Sequence, residues 1–231
     1  MDWLEAFAQR GYQVVPHAFS PLECDALLGE LESIGVRATD RRGGARFRLS
    51  QSPALHSAAT RSPLAAIARA CLGARCFPVR ALYFDKTTVA NWKVTWHQDL
   101  TIAVERRKEA PGFGPWSEKN GIVHVQPPTN VLERMIAARF HLDDCGETNG
   151  PLRVIPGSHE AGRLSTRDVV AWRDRAPEVV CTARRGDVLL MRPLLLHASS
   201  PATTPEHRRV LHVEFASEAL PGGLEWFERC A

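Results

Sequence analysis

Residues 208–215 read Arg208-Arg209-Val210-Leu211-His212-Val213-Glu214-Phe215. In an extended chain alternate side chains point to opposite sides. Arg208, Val210, His212 and Glu214 therefore share one face, and Arg209, Leu211, Val213 and Phe215 share the other. Residues 136–143 repeat the pattern, with Arg139, His141 and Asp143 opposite Phe140 and Leu142. Each strand thus offers one face for an apolar layer and one face rich in ionisable groups. A one-sided antiparallel sheet with its polar face in water satisfies this pattern. So does a closed jelly roll whose polar faces line a pocket, and parity alone does not choose between them.

Around these two strands the chain is β-prone from Arg75 onward, in short runs at 76–86, 92–104, 122–125, 151–155, 178–182 and 187–192. Before Arg75 it is mainly helical. Trp3, Leu4 and Phe7 mark a short helix, and Tyr12 to Val15 is a brief extended run. Ser20-Pro21-Leu22-Glu23 opens a second helix through a capping box, with Leu27, Leu28, Leu31 and Ile34 as its apolar stripe and Gly35 as its stop. Ser62-Pro63 opens another helix, closed by Gly73. Helices followed by strands predict a mainly β, α+β layout with helices outside an antiparallel sandwich or barrel. We expect one domain over 1–231: a helical part at 1–74 and a β core at 75–216. Within the core, 105–121 carries Phe113, Trp116, two prolines and two glycines near their middle, and reads as a lid.

Composition narrows the class of function. A chain of 231 residues that is 44% hydrophobic can bury one substantial core. Its 29 basic and 26 acidic residues, net +3, are too balanced for a nucleic-acid or anionic-membrane surface. The cysteines at 24, 71, 76, 145, 181 and 230 form no metal-binding or redox spacing. With no membrane-length apolar run and no basic-then-apolar leader, a reduced cytoplasmic protein acting on a small molecule is the expectation. One local exception is the basic stretch Arg37, Arg41, Arg42, Arg46 and Arg48 around Gly43-Gly44. It reads either as a solvated loop or as a source of one arginine for an anionic substrate or cosubstrate.

Chemistry enters at Thr95-Trp96-His97-Gln98-Asp99. In a strand, His97 and Asp99 would lie on one face about 7 Å apart, with Gln98 on the other. They offer two of the three ligands of the 2-His-1-carboxylate site of non-haem Fe(II) oxygenases. The plain alternative is a strand-end histidine bonded to a nearby carboxylate. His197, ending the apolar run Val188 to Leu196, reads as the third ligand or as an imidazole bonded to backbone. Eleven residues later Arg208 falls on the polar face of its strand. A buried dicarboxylate such as 2-oxoglutarate needs a fixed, bidentate cation there, and Ser199 adds a hydroxyl.

The combination of His97-x-Asp99, His197 and Arg208 resembles the phytanoyl-CoA dioxygenase family of Fe(II)/2-oxoglutarate oxygenases. Asn149-Gly150-Pro151-Leu152, Pro156-Gly157-Ser158-His159, the N-terminal Gly-Tyr-x-Val-Val-Pro and the Arg-Gly-Asp-Val turn extend the likeness over most of the chain. The resemblance implies a double-stranded β-helix, a cupin-like jelly roll, with His97, Asp99 and His197 holding Fe(II). It further implies that Arg208 anchors 2-oxoglutarate beside Ser199, with Arg139 near the cosubstrate. O₂ would be consumed, succinate and CO₂ released, and a small metabolite or natural-product intermediate hydroxylated. Halogenating relatives lack the carboxylate ligand, so Asp99 favours hydroxylation. His141 and His212 are candidates to line the pocket; His17, His56, His124, His159 and His207 read as loop or strand-end residues. The competing class is a metal-binding jelly roll without oxygenase chemistry, such as an isomerase or a sensor.

Overall fold

The structure is a computed structural model that describes residues 2–36 and 44–230. Arg37, Arg41 and Arg42 of the basic stretch lie outside the described residues. In chain order the elements are α1 (Trp3–Arg10), β1 (Tyr12–Val15), α2 (Pro21–Ser33), β2 (Ala45–Phe47), α3 (Pro53–Thr60), α4 (Pro63–Leu72) and β3 (Phe77–Lys86). Next come β4 (Val94–His97), β5 (Ile102–Val104), β6 (Trp116–Lys119), β7 (Ile122–Val125), α5 (Thr129–Glu133), β8 (Met135–His141) and β9 (Leu152–Val154). The last are α6 (Thr166–Arg175), β10 (Val179–Cys181), β11 (Val188–Met191), β12 (His197–Ser199) and β13 (Arg208–Ala216).

The strands form three antiparallel sheets. The largest runs β1-β11-β8-β13-β3-β2, the second β10-β9-β12-β4 and the third β5-β7-β6. Alternation along β13 and β8 divides the large sheet as the sequence predicts. Leu211, Val213 and Phe215, with Ile136, Ala138 and Phe140, pack against Leu27, Leu28, Leu31, Leu55 and Leu64 of the helices. Each large side chain buried there stabilises the fold by about 1.5–3 kcal/mol. The opposite face presents Arg208, His212 and Arg139 to a cavity that His97, His197 and Leu152 of the second sheet close from the other side. The polar faces therefore line a pocket, the jelly-roll arrangement.

Helix α2 begins as expected. The Ser20 hydroxyl accepts from the Glu23 N–H, the Glu23 carboxylate accepts the Ser20 N–H at 2.7 Å, and Gly35 follows at φ +70°. Several features differ from the sequence reading. Strands β1 and β2 of the N-terminal part are the two edges of the large sheet, so 1–74 is not purely a helical cover. At the other end the core continues past 216, because Leu224 and Trp226 join the apolar cluster under the third sheet. The run 92–104 breaks after His97, where the chain leaves the second sheet and enters the third. Asp143 does not share the face of Arg139 and His141. Strand β8 stops at His141, the chain bends, and Asp143 meets Arg209 on the other side.

Segment 105–121 is more structured than a loop. Phe113 is buried with Leu132, Leu220 and Trp226, and Trp116 packs against the same cluster. Trp116–Lys119 pairs with Ile122–Val125 across Asn120 and Gly121, both at positive φ. Asn-Gly is a preferred two-residue hairpin turn, because both positions take left-handed backbone readily.

Two buried imidazoles tie this fold to pH. His141 has no hydrogen-bond partner at either ring nitrogen, and burial, then Arg139 and Arg208, push it down to about 3. Burial pushes His124 down to about 4. Below the ordinary imidazole value of about 6.5, the unfolded chain takes up protons that the folded protein refuses. Stability is therefore full above that pH and falls toward acid, by up to about 1.4 kcal/mol per pH unit for each imidazole. In urea unfolding of the metal-free protein from about pH 7 to about pH 5, His141→Leu is expected to show a shallower loss than the parent. Identical slopes would remove His141 from this role.

Candidate active site

His97 and His197 face each other across the β4–β12 pair, with ring centroids 4.1 Å apart. Asp99 lies just beyond the end of β4, and its backbone N–H donates to the Pro193 carbonyl at 2.8 Å. Its carboxylate oxygens stand 3.6 Å from His97 Nε2 and 3.7 Å from His197 Nε2. All three donor atoms fall within 4.8 Å of one another. Nδ1 of His97 donates to the Thr95 carbonyl and Nδ1 of His197 to the Leu195 carbonyl, each at 2.9 Å. That tautomer leaves both Nε2 lone pairs directed at the Asp99 side, the arrangement in which imidazoles ligate a metal. Two nitrogens and one carboxylate oxygen that converge without hydrogen-bonding one another fit a divalent transition ion. The backbone bond foreseen as the plain alternative for His197 is thus the one that aims it.

The local charges agree. Burial opposes ionisation of Asp99, but His197 and His97 outweigh it and hold the carboxyl well below the usual carboxylate range. Burial lowers His197 to about 4 despite Asp99, so its imidazole is neutral near pH 7. Burial also disfavours the charged form of His97, and the Asp99 contact overrides it, raising that group. Gln98, between His97 and Asp99, points away as parity requires. Its amide donates to the Leu194 carbonyl at 2.6 Å and the Gly162 carbonyl at 2.8 Å, and accepts the Leu164 N–H at 2.8 Å.

Arg208 shares a cavity of about 250 Å³ with His97, Asp99 and His197. It is buried, and one guanidinium nitrogen donates to the Gly150 carbonyl. Arg209 points the other way into a two-point pair with Asp143, at 2.6 and 2.8 Å, instead of meeting open solvent. Ser199 and Arg139 line the same cavity, as does His212, whose Nδ1 accepts from Arg139 Nη1 at 3.1 Å. Burial, then Arg208, lowers Arg139 to about 10. His141 is buried behind the cavity and is not part of its wall.

Sequence reading missed Lys86. It is fully buried at the end of β3, and Nζ donates to Ser199 Oγ at 2.8 Å and to the Ser200 carbonyl at 2.7 Å. Burial, then Arg208, pushes it down to about 7. A signal existed: Arg80, Leu82, Phe84 and Lys86 share strand parity, and the first three line the cavity. Arg80 and Lys119 on the far wall were also missed. Of the two described arginines of the basic stretch, Arg46 lines the cavity, whereas Arg48 is tied to Glu105 at 2.9 Å and to the Phe227 carbonyl. His124, His159 and His207 stay in ordinary roles, bonded to Ile122, Ala8 and Asp85 respectively.

The family model described as phytanoyl-CoA dioxygenase (PhyH) matches residues 7–210. No curated protein matches the chain in sequence. Among solved structures, the chain is similar to SnoK, a non-heme alpha ketoglutarate dependent carbocyclase from nogalamycin biosynthesis, with TM-score 0.70 and 18% identity, covering 93% of this chain and 83% of that one. EctD from S. alaskensis gives TM-score 0.70 and 22% identity over 93% and 75% of the two chains. HygX from Streptomyces hygroscopicus, with nickel and 2-oxoglutarate bound, gives 0.66 and 17% over 93% and 86%. At these identities the likeness is one of fold.

Gln98 is the strut that sets the ligand segment against 162–164 and 194. Gln98→Ala would leave two carbonyls and one N–H buried without their partner, at about 1–3 kcal/mol for each unsatisfied group and less where water enters. We expect a total loss of about 2–4 kcal/mol in urea unfolding. A change below about 0.5 kcal/mol, the size of an ordinary surface substitution, would show that the strut carries no strain.

Proposed function

Since the chain belongs to the phytanoyl-CoA dioxygenase family, we propose that it is an Fe(II)- and 2-oxoglutarate-dependent oxygenase that hydroxylates a small metabolite. The observation that carries this reading is the convergence of His97, Asp99 and His197 on one side of a cavity whose other side is Arg208. In this reading the two imidazoles and the carboxylate hold Fe(II), and Arg208 receives the far carboxylate of 2-oxoglutarate. When bound, Fe(II) with 2-oxoglutarate and O₂ supplies the oxidant, with succinate and CO₂ as co-products.

The protein's own groups do the positioning. Asp99 stays ionised and His197 stays neutral, so both present lone pairs without first losing a proton near pH 7. The Ser199 oxygen already accepts a hydrogen bond from Lys86, which leaves the Ser199 O–H free to donate to the same carboxylate as Arg208. Lys86, lowered to about 7, gains charge when a dianion arrives beside it. Leu82, Phe84, Val94 and Leu152 wall off water from the space between.

A carboxylate at position 99 leaves no ligand place for a halide, which favours oxygen transfer. Neighbours of similar fold include a carbocyclase and an epimerase by description, so hydroxylation is the specific claim to test. The buried Arg208 in the same cavity as the candidate ligands favours the oxygenase reading over a metal-binding jelly roll without that chemistry.

Anaerobic addition of Fe(II) and 2-oxoglutarate is expected to produce the charge-transfer band of a chelated 2-oxo acid. His97→Ala, Asp99→Ala and His197→Ala should each lose tight Fe(II) binding while remaining folded, and parent-like affinity in two of them would refute the ligand set. Arg208→Ala should weaken 2-oxoglutarate binding by about 2–4 kcal/mol, roughly 30- to 1000-fold. Arg209→Ala should instead cost stability, by stranding Asp143, and spare affinity. If Arg209→Ala is the variant that loses 2-oxoglutarate, the assignment of the anchor is wrong.

A further inference from the structure

The wall of the cavity away from Arg208 carries a second group of cations. Arg46 lies on edge strand β2 opposite Leu82 of β3, and Arg80 lies two residues before Leu82, so the three share one face. Lys119 ends β6 at the hairpin turn, and the neighbouring Asn120 accepts from Arg46 Nη1 at 3.5 Å. All three cations line the same cavity as His97 and Asp99. Their partners differ. Arg80 is paired with the buried Glu214, whereas Arg46 and Lys119 are in no ion pair among the described residues.

Like charges brought together in a partly desolvated mouth repel. Burial, then Arg80, lowers Arg46, and burial, then Arg80 and Arg46, lowers Lys119. Nε of Arg46 and of Arg80 are also buried donors without a partner. An anion seated among them relieves the repulsion and accepts these donors. In the oxygenase reading the cosubstrate's charge is taken up by Arg208 and its neighbours, so this second group is left for another molecule. From Arg80 toward Arg208 the same face of β3 carries Leu82 and Phe84, and Trp92 and Val94 join them in an apolar and aromatic part of the cavity wall. At about 250 Å³ the cavity is below the usual range of roughly 300–1,000 Å³ for ligand pockets.

We propose that the substrate is a small anion, a carboxylate or phosphate ester with an apolar or aromatic body, whose charged end is held by Arg46 and Lys119 while its body lies along Phe84 and Trp92 toward His97. The identification of this anion as the substrate rests on the oxygenase reading; the anion site itself does not.

The test uses four probes of one skeleton: benzoate, phenyl phosphate, neutral benzamide and cationic benzylamine. Each is titrated calorimetrically into the anaerobic protein with Fe(II) and saturating 2-oxoglutarate, so that the Arg208 site is already filled. Arg80 is left intact, because removing it would strand Glu214. At least one anion is expected to bind about tenfold or more tightly than benzamide, and the Arg46→Gln/Lys119→Gln double variant to reduce that preference to about threefold or less. Comparison of benzoate with phenyl phosphate then identifies the head group. Benzamide or benzylamine binding as tightly as the anions, or an undiminished anion preference in the double variant, would overturn the proposal. Single Lys119→Gln, at an exposed hairpin end, supplies the same reading if the double variant is unstable. Failure of the charge-transfer band in the parent would sink the oxygenase reading instead, and calorimetry on the metal-free protein would still decide the anion site.

Discussion

A strand must send consecutive side chains to opposite sides, and in β13 that requirement organises the molecule. Leu211, Val213 and Phe215 bind the helical layer, while Arg208 and His212 enter the cavity from the other side. A slip of one residue would bury Arg209 in the helical layer and expel Arg208 from the pocket. The apolar contacts therefore do more than stabilise the fold. They set the register that places a charged side chain in the cavity of His97, Asp99 and His197, so the energy of the core and the geometry of the candidate site are fixed together. Strand β8 is locked to β13 in the same sense, with Arg139 beside His212 in register.

Charges buried at such a density have to be matched. Here the matching is done by short, specific contacts: Arg80 with Glu214, Arg209 with Asp143, and Lys86 with Ser199 and the Ser200 carbonyl. Arg208 is held from behind by the Gly150 carbonyl. Gly150 has φ +61°, and an added Cβ there would stand 2.7 Å from the Ser200 carbonyl oxygen, so only glycine lets that backbone approach. The Asn149-Gly150 turn is thus a support for the arginine, and its place in the sequence pattern has a steric cause.

Much of this was legible in the sequence because local rules carried it. The α2 capping box, the parity of 208–215 and the His97-x-Asp99 spacing each depend on residues close in sequence. Other features were hidden for identifiable reasons. Helix α6 has no buried residue and hence no apolar stripe to read, though Ser165 and Asp168 form its capping box. Strand β12 is only His197–Ser199, too short for a period. Lys86 at a strand end looks like a solvent-facing residue until β12 is laid beside it. The Asn120-Gly121 turn carried a usable hairpin signal, but the prolines and charges before it suggested a loop. Asp143 broke parity because the strand ended two residues earlier, and strand ends are set by tertiary neighbours.

The pairings that complete the two larger sheets join distant parts of the chain. Tyr12–Val15 lies against Val188–Met191, and His97 meets His197 only when β4 and β12 are aligned. Assembly dominated by such long-range contacts is slow relative to helix formation, because loop closure must precede the contacts that reward it. His97 and His197 stand close only because β4 and β12 pair, so the site exists only where that long-range pairing is made. An ion held by both imidazoles would tie those two distant segments to each other, and its binding energy would add to the stability of the closed barrel.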